Sequence, residues 1–221
     1  MTPKLRRFDL LAFDWDGTLF DSTAIIARCI QAAVRDVGAP EPSLAQATYV
    51  IGMGLMQALA HAAPSVPPSQ YPLLAERYRH HYFAIQHEIS LFDGVLPMLQ
   101  SLKARGHLLA VATGKSRRGL DEALASSTLH GMFDASRTAD QTASKPDPLM
   151  LHELMAELDV PPQRTLMIGD TTHDLQMARN AGCACVAVSY GAHEPDGLAA
   201  FEPLAVLHSA PALHEWLLAH A

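Results

Sequence analysis

What the 221-residue sequence has little of sets its first limits. Cysteine occurs three times, as Cys29, Cys183 and Cys185. That is too few for a disulfide framework, and the C-x-C pair has neither zinc nor redox spacing. The three read as buried structural thiols of a reducing compartment. Basic runs are missing beyond Arg6-Arg7 and Arg117-Arg118, and 16 Lys and Arg against 23 Asp and Glu leave a formal net charge of −7. This balance excludes a chain that grips nucleic acid electrostatically, while a locally positive pocket for a small anion stays open. No apolar run approaches membrane-spanning length: after Met1–Arg7, the stretch Phe8–Phe13 ends in charge, too short for a signal or membrane helix. The expectation is a soluble, cytoplasmic protein with neither nucleic-acid nor membrane partners. Repeats and low-complexity tracts are absent. The 12 histidines show no metal spacing, and His80 and His87 stand two turns apart on one helix face, too far to share an ion.

What is present is an alternation of short apolar runs with longer amphipathic ones, the pattern of a parallel sheet flanked by helices. The runs are Leu10–Phe13, Leu108–Ala112, Thr165–Ile168, Cys185–Val188 and Ala205–Leu207, with a weaker one near Phe133–Ser136. Between them, Asp147-Pro148 opens a helix carrying Leu151, Leu154, Met155 and Leu158. Thr171 or Thr172 caps another that stops at Gly182. A last helix, about Ala210–Ala219, sets Leu213, Trp216 and Leu217 on one face.

From the first run to Asp93-Gly94 no convincing strand occurs. Ile25, Ile26, Cys29, Ile30, Ala33 and Val37 step at helical spacing, and Pro64–Pro72 interrupts two further helical stretches. A crossover this long reads as an inserted helical unit. The fold class expected is α/β, a Rossmann-like parallel sheet core at residues 1–19 and 91–221, with an all-helical cap at residues 20–90.

Ligands of open parallel sheets bind at the carboxyl ends of the strands, so residues there are read as one set. They are Asp14-Trp-Asp16-Gly-Thr18, Thr113-Gly114, Lys145 in Ser144-Lys-Pro-Asp147, and Gly169-Asp170-Thr-Thr-His-Asp174. Singly, each has a bland reading: Asp14 or Thr113 as a helix cap, Lys145 as a surface charge, Asp174 as a helix-surface residue. Together they describe an acidic pocket with one cation and one hydroxyl. Carboxylate oxygens without histidine or thiol partners suit Mg²⁺ rather than zinc.

In this order the four segments resemble the motifs of the haloacid dehalogenase superfamily, and the insert after the first resembles its helical-cap, phosphoglycolate phosphatase-like branch. The resemblance implies that Asp14 is a nucleophile forming an aspartyl-phosphate, and that Asp16 protonates the leaving alcohol and later activates water. It implies Mg²⁺ held by Asp14, the carbonyl of Asp16, and Asp170. Thr113, Lys145 and the Gly114 amide would bind phosphoryl oxygens, and Asp174 would brace the metal shell or Lys145. Charge counting agrees: Asp14, Asp170 and a phosphate dianion outweigh the metal and Lys145 by one negative charge, which favours a protonated Asp16.

The implied substrate is a small phosphorylated metabolite, 2-phosphoglycolate-like or a sugar phosphate. A sugar-phosphate mutase like β-phosphoglucomutase, a pyrophosphatase and a receiver-like phospho-acceptor are the competing readings. Relatives in that superfamily that cleave carbon–halogen or carbon–phosphorus bonds lack an acid at the second motif position, so with Asp16 kept the resemblance implies phosphate-ester hydrolysis. Thr113-Gly-Lys115 departs from the Thr-Asn-Lys common among phosphoglycolate phosphatase-like relatives. Lys115 faces either phosphate or surface, and Gly52 and Gly54 form either a cap loop over the site or a plain turn. His173 reads as a surface or supporting residue rather than a catalytic one. Arg77, Arg79, His80 and His81 read as a solvated helix face.

Overall fold

The computed structural model describes residues 6–126 and 128–221. Met1–Leu5, part of the segment read above as too short for a membrane helix, lie outside the described residues. In chain order the helices are α1 (Thr23–Asp36), α2 (Leu44–Tyr49), α3 (Leu55–Ala62), α4 (Tyr71–Ile85), α5 (Val95–Ala104), α6 (Arg117–Ser126), α7 (Leu149–Leu158), α8 (Thr172–Asn180), α9 (Pro195–Ala199) and α10 (Ala210–His220). The strands are β1 (Leu10–Phe13), β2 (Leu108–Thr113), β3 (Ala135–Thr138), β4 (Thr165–Gly169), β5 (Ala184–Val188) and β6 (Val206–Leu207). They form one sheet of order β3-β2-β1-β4-β5-β6 in which every described pairing is parallel.

β1 is the hinge of this order. Phe13 stands in register with Val111 on one side and Ile168 on the other, so three strand ends finish at one level. The strand is apolar throughout because both of its faces are covered. Leu10 and Ala12 meet Leu151 and Leu154 of α7 and Leu175 of α8. Leu11 and Phe13 meet Met98 and Leu102 of α5 and Leu213 and Leu217 of α10. A third apolar cluster stands apart from these two. It is built on Ile26, Ile30 and Val34 of α1, Leu59 of α3 and Leu74 of α4. Between β1 and β2 the described residues contain no strand, and an isolated bridge pairs Phe20 with Leu91 at the two ends of that helical stretch.

Several local expectations shift by a residue or two. β3 begins at Ala135 rather than Phe133, because Phe133 packs into the core against Trp15 and the Asp134 carboxylate accepts the Leu109 N–H at 2.9 Å. Pro72 does not interrupt a helix; it sits in the first turn of α4, where its missing N–H has no intrahelical partner to lose. Pro148 precedes α7 instead of opening it, and the Asp147 carboxylate accepts the Leu149 N–H at 2.9 Å. All three cysteines are free, but only Cys29 and Cys185 are buried. Cys183 is half-buried, its Sγ 3.5 Å from Met155 Sδ. Among the described residues no helix is long and apolar enough to cross a membrane.

Leu154 is fully buried between α7 and the sheet. Leu154→Ala is expected to lower the unfolding free energy by about 2–5 kcal/mol, read as a lower urea midpoint with unchanged slope.

Candidate active site

The carboxyl ends of β1 and β4 and the start of α8 converge on one ammonium group. Lys145, from the loop between β3 and α7, donates through Nζ to Asp14 Oδ1 and to Asp174 Oδ1, both at 2.6 Å, and is 0% exposed. Burial alone would lower its pKa, but the charges of Asp14 and Asp174 overcome that and hold the ammonium protonated. Asp174 reaches this position because α8 opens on a capping box. Thr171 donates to Asp174 Oδ2 through its N–H at 3.1 Å and its hydroxyl at 2.6 Å. The carboxylate that braces Lys145 is thereby oriented by its own helix terminus.

Asp170 is held from two other directions: Thr18 Oγ1 donates to Oδ1 at 2.7 Å, and the Ala192 N–H donates to Oδ2 at 2.7 Å. Gly17, at φ +85°, and Gly191 allow this close packing, since a Cβ on either would run into the Asp170 carboxylate. Asp14, Asp170 and Asp174 offer oxygen atoms within 4.8 Å of one another. Three carboxylates against the one ammonium leave two negative charges uncompensated, the complement of a divalent cation, and every donor is a hard oxygen suited to Mg²⁺. The same crowding appears in the protonation energetics. Burial, with neighbouring carboxylates adding to it, pushes Asp14 well above the ordinary carboxyl range against the pull of Lys145, and pushes Asp170 up to about 7. One atom of this cluster is left over: Asp14 Oδ2 is buried and has no hydrogen-bond partner among the described residues.

The Asp16 side chain is not part of that cluster. It accepts from Ser22 Oγ at 2.8 Å and pairs with Lys115 Nζ at 3.1 Å. Lys115 in turn donates to the Tyr82 hydroxyl of α4 at 2.9 Å. Lys115 thus lies away from open surface, lines the same cavity as Asp14, Asp16 and Thr113, and adds one positive charge to the site. With Asp174 also counted the net excess is unchanged, but the cation beside Asp16 is Lys115. Thr113 is buried at the end of β2, and its Oγ1 accepts the Lys115 N–H at 3.2 Å. Next to it, Gly114 meets the segment that joins α2 to α3. A Cβ there would stand 2.5 Å from Met53 O and 2.6 Å from Gly52 O, so only glycine permits the approach. Ser144 Oγ accepts the Gly54 N–H at 2.7 Å, fastening the same segment to the residue before Lys145. A cavity of about 450 Å³ lies here, lined by Asp14, Asp16, Thr113, Gly114, Gly52 and Gly54 among others. Lys145, Asp170 and Asp174 are not among its lining residues.

His173 is buried rather than exposed, and burial lowers its pKa. It donates through Nε2 to the Tyr49 carbonyl at 2.9 Å, and His193 Nε2 donates to that same carbonyl at 2.9 Å. Arg77, Arg79 and His80 are exposed, yet Arg79 lines the cavity and His81 pairs with Asp36 at 2.8 Å, so that helix face is not simply solvated. Sequence reasoning assigned no role to Thr18, Ser22, Tyr82 or the Gly191-Ala192 turn. The first two stand inside the opening motif. Tyr82 lies one turn beyond Tyr78, a spacing that marks a shared helix face. The turn follows a strand end and belongs to the class of position where ligands gather.

Comparison with known proteins gives a consistent likeness. A family model described as haloacid dehalogenase-like hydrolase matches residues 11–188. A phosphoglycolate phosphatase of Aliivibrio fischeri is 32% identical over 203 residues, covering 88% of this chain and 89% of that protein. A 5'-nucleotidase of Pseudomonas aeruginosa is 32% identical over 221 residues, covering 97% of each chain. Among solved structures, a hydrolase from Pseudomonas syringae has a TM-score of 0.86 at 23% identity over 96% of this chain and 99% of that one, a likeness of fold.

Lys145→Met is expected to destabilise the metal-free protein by about 3–5 kcal/mol at pH 8, because it strands buried carboxylates without their cation. The loss should shrink at pH 5, below the raised pKa of Asp170, where that carboxyl is protonated. Urea unfolding at the two pH values measures the difference.

Proposed function

The chain belongs to the haloacid dehalogenase-like hydrolases, and from that premise we propose that this phosphatase cleaves a small phosphate monoester through a phosphoryl group carried on Asp14. The observation that carries the reading is the Asp14 carboxylate on the cavity wall, with Oδ1 tied down by Lys145 and the buried Oδ2 without a hydrogen-bond partner among the described residues. An oxygen kept free of hydrogen bonds while its twin is fixed is oriented for attack.

Asp14 Oδ2 forms a bond to phosphorus as the bond from phosphorus to the ester oxygen breaks, and the Asp16 carboxyl gives its proton to the departing oxygen. A water oxygen then bonds to phosphorus as the link to Asp14 breaks, its proton passing to Asp16. Inorganic phosphate leaves, and both carboxyls return to their starting states. Ser22 and Lys115 orient the Asp16 carboxyl. Thr113 and the Gly114 amide take phosphoryl oxygens, with Lys145 supplying positive charge from behind Asp14. Asp14 and Asp170, with the main-chain carbonyl of Asp16, would hold Mg²⁺, which when bound neutralises charge on the transferring phosphoryl group. Asp174 positions Lys145.

Residues 20–90 act as a cap over a core of residues 1–19 and 91–221, and the Gly52–Gly54 segment closes the site over the phosphoryl group. The approach of Gly52 and Met53 to Gly114 supports that role. Relatives named phosphoglycolate phosphatase and 5'-nucleotidase support a phosphorylated metabolite as substrate.

Phosphate release from a panel of esters, with Mg²⁺ or EDTA, tests the reaction. Chelation is expected to abolish release, and Asp14→Asn to lower kcat by about 10³-fold or more. Asp16→Asn should still transfer phosphate to Asp14 from p-nitrophenyl phosphate, whose leaving group needs no proton, while losing alkyl esters. Undiminished activity in Asp14→Asn would overturn the mechanism, and isomerised product with little free phosphate would mark a mutase instead.

A second outcome follows from the raised pKa of Asp170. A metal ion displaces the proton held there, so the rise in Tm produced by Mg²⁺ should be small at pH 5 and grow as pH passes about 7. Thermal unfolding with and without Mg²⁺ at each pH measures it; a pH-independent rise would place the ion elsewhere.

A further inference from the structure

The cavity beside Asp14 is lined by two unlike sets of groups. Asp14, Thr113 and Gly114 are the ones proposed above to meet the phosphoryl group. Much of the remaining lining is apolar and aromatic, contributed by Ile26 and Ile30 of α1, Met56 of α3, and Tyr78, Tyr82 and Phe83 of α4. Tyr78 and Tyr82 are stacked with centroids 5.9 Å apart and planes at 22°, forming one aromatic panel. That panel connects to the acid of the reaction: Tyr82 bonds Lys115, and Lys115 pairs with Asp16. The apolar wall therefore begins on the side where the ester oxygen departs.

Resting on the phosphatase reading above, we infer that the preferred substrate is a phosphate monoester whose leaving alcohol carries an apolar or aromatic group, rather than a small carboxylated alcohol. Three observations agree. A cavity of about 450 Å³ falls within the range of pockets that enclose a ligand of many atoms, and a two-carbon leaving group would leave most of it empty. Phe83 and Met56 are 45% and 46% exposed although they line this cavity, an arrangement that leaves apolar surface uncovered until something apolar covers it.

Charge gives the third. The lining cations are Lys115 and Arg79, against Asp14, Asp16 and Asp140. Lys115 is already engaged by Asp16 and Tyr82, which leaves Arg79 as the one lining cation, among the described residues, to meet a second anion. A second anionic group on the substrate would meet more like charge than opposite charge. An aromatic group would meet the Tyr78–Tyr82 panel and the Ile26 and Ile30 side chains, with the gain of a desolvated ring contact.

The test compares 2-phenylethyl phosphate with ethyl phosphate, whose leaving oxygens are both primary alkoxides, and with 2-phosphoglycolate, all with Mg²⁺. The phenyl-bearing ester is expected to exceed both others in kcat/KM by about 10–100-fold. Phe83→Ala changes an exposed side chain, so the fold should persist, which an unchanged Tm would verify. It is expected to pull the phenylethyl-to-ethyl ratio severalfold toward one, and Phe83→Leu should restore part of it. The inference is overturned if 2-phosphoglycolate or ethyl phosphate is turned over as well as the phenyl ester, or if the ratio ignores Phe83→Ala. Hydrolysis of all three esters in the wrong order would sink this inference alone. Absence of metal-dependent release from every ester would remove the phosphatase reading beneath it as well.

Discussion

The Lys145 ammonium, closed off from solvent between Asp14 and Asp174, is the contact on which the rest of the site depends. Withdrawing a cation from water costs several kcal/mol, and the cost is offset only when its partners stand at bonding distance with their remaining lone pairs engaged. The structure meets that condition on one side completely, with Thr171 filling the second oxygen of Asp174. On the other side it stops one bond short, at Asp14 Oδ2.

The parallel sheet makes that arrangement reachable. Residues 14, 113, 145 and 170–174 are far apart in the chain, but strands β1, β2 and β4 finish side by side at the point where strand order reverses, and the segment after β3 crosses to the same end. Glycines at 17, 114 and 191 allow backbone and carboxylate to come closer than any side chain would permit. Three carboxylates then share a space with one ammonium, and the two uncompensated charges suit a divalent cation.

Labour divides between the two parts of the chain. The sheet supplies Asp14, Thr113 and Asp170 at its strand ends. The helices between β1 and β2 supply the Gly52–Gly54 segment and an apolar, aromatic wall reaching toward Asp16 through Tyr82 and Lys115.

Much of this was legible in the residues alone. Apolar runs buried on both faces marked the parallel sheet, because a strand covered on both sides has no polar alternation to show. The helical stretch after Phe20 showed as missing strands, and Asp14, Thr113, Lys145, Asp170 and Asp174 stood out because each follows an apolar run or precedes a helix. The onset of β3 lies two residues past the start of its apolar run, because Phe133 is apolar for packing against Trp15, not for a strand. What the sequence by itself determined was which residues lie at strand ends, since hydrophobic periodicity and capping are local. Only the tertiary structure decided that Lys115 faces Asp16 and Tyr82, that His173 and His193 share the Tyr49 carbonyl, and that Asp14 keeps one oxygen free. Those are pairings between distant segments, set by how the helical insert packs on the sheet, and no local pattern along the chain encodes them.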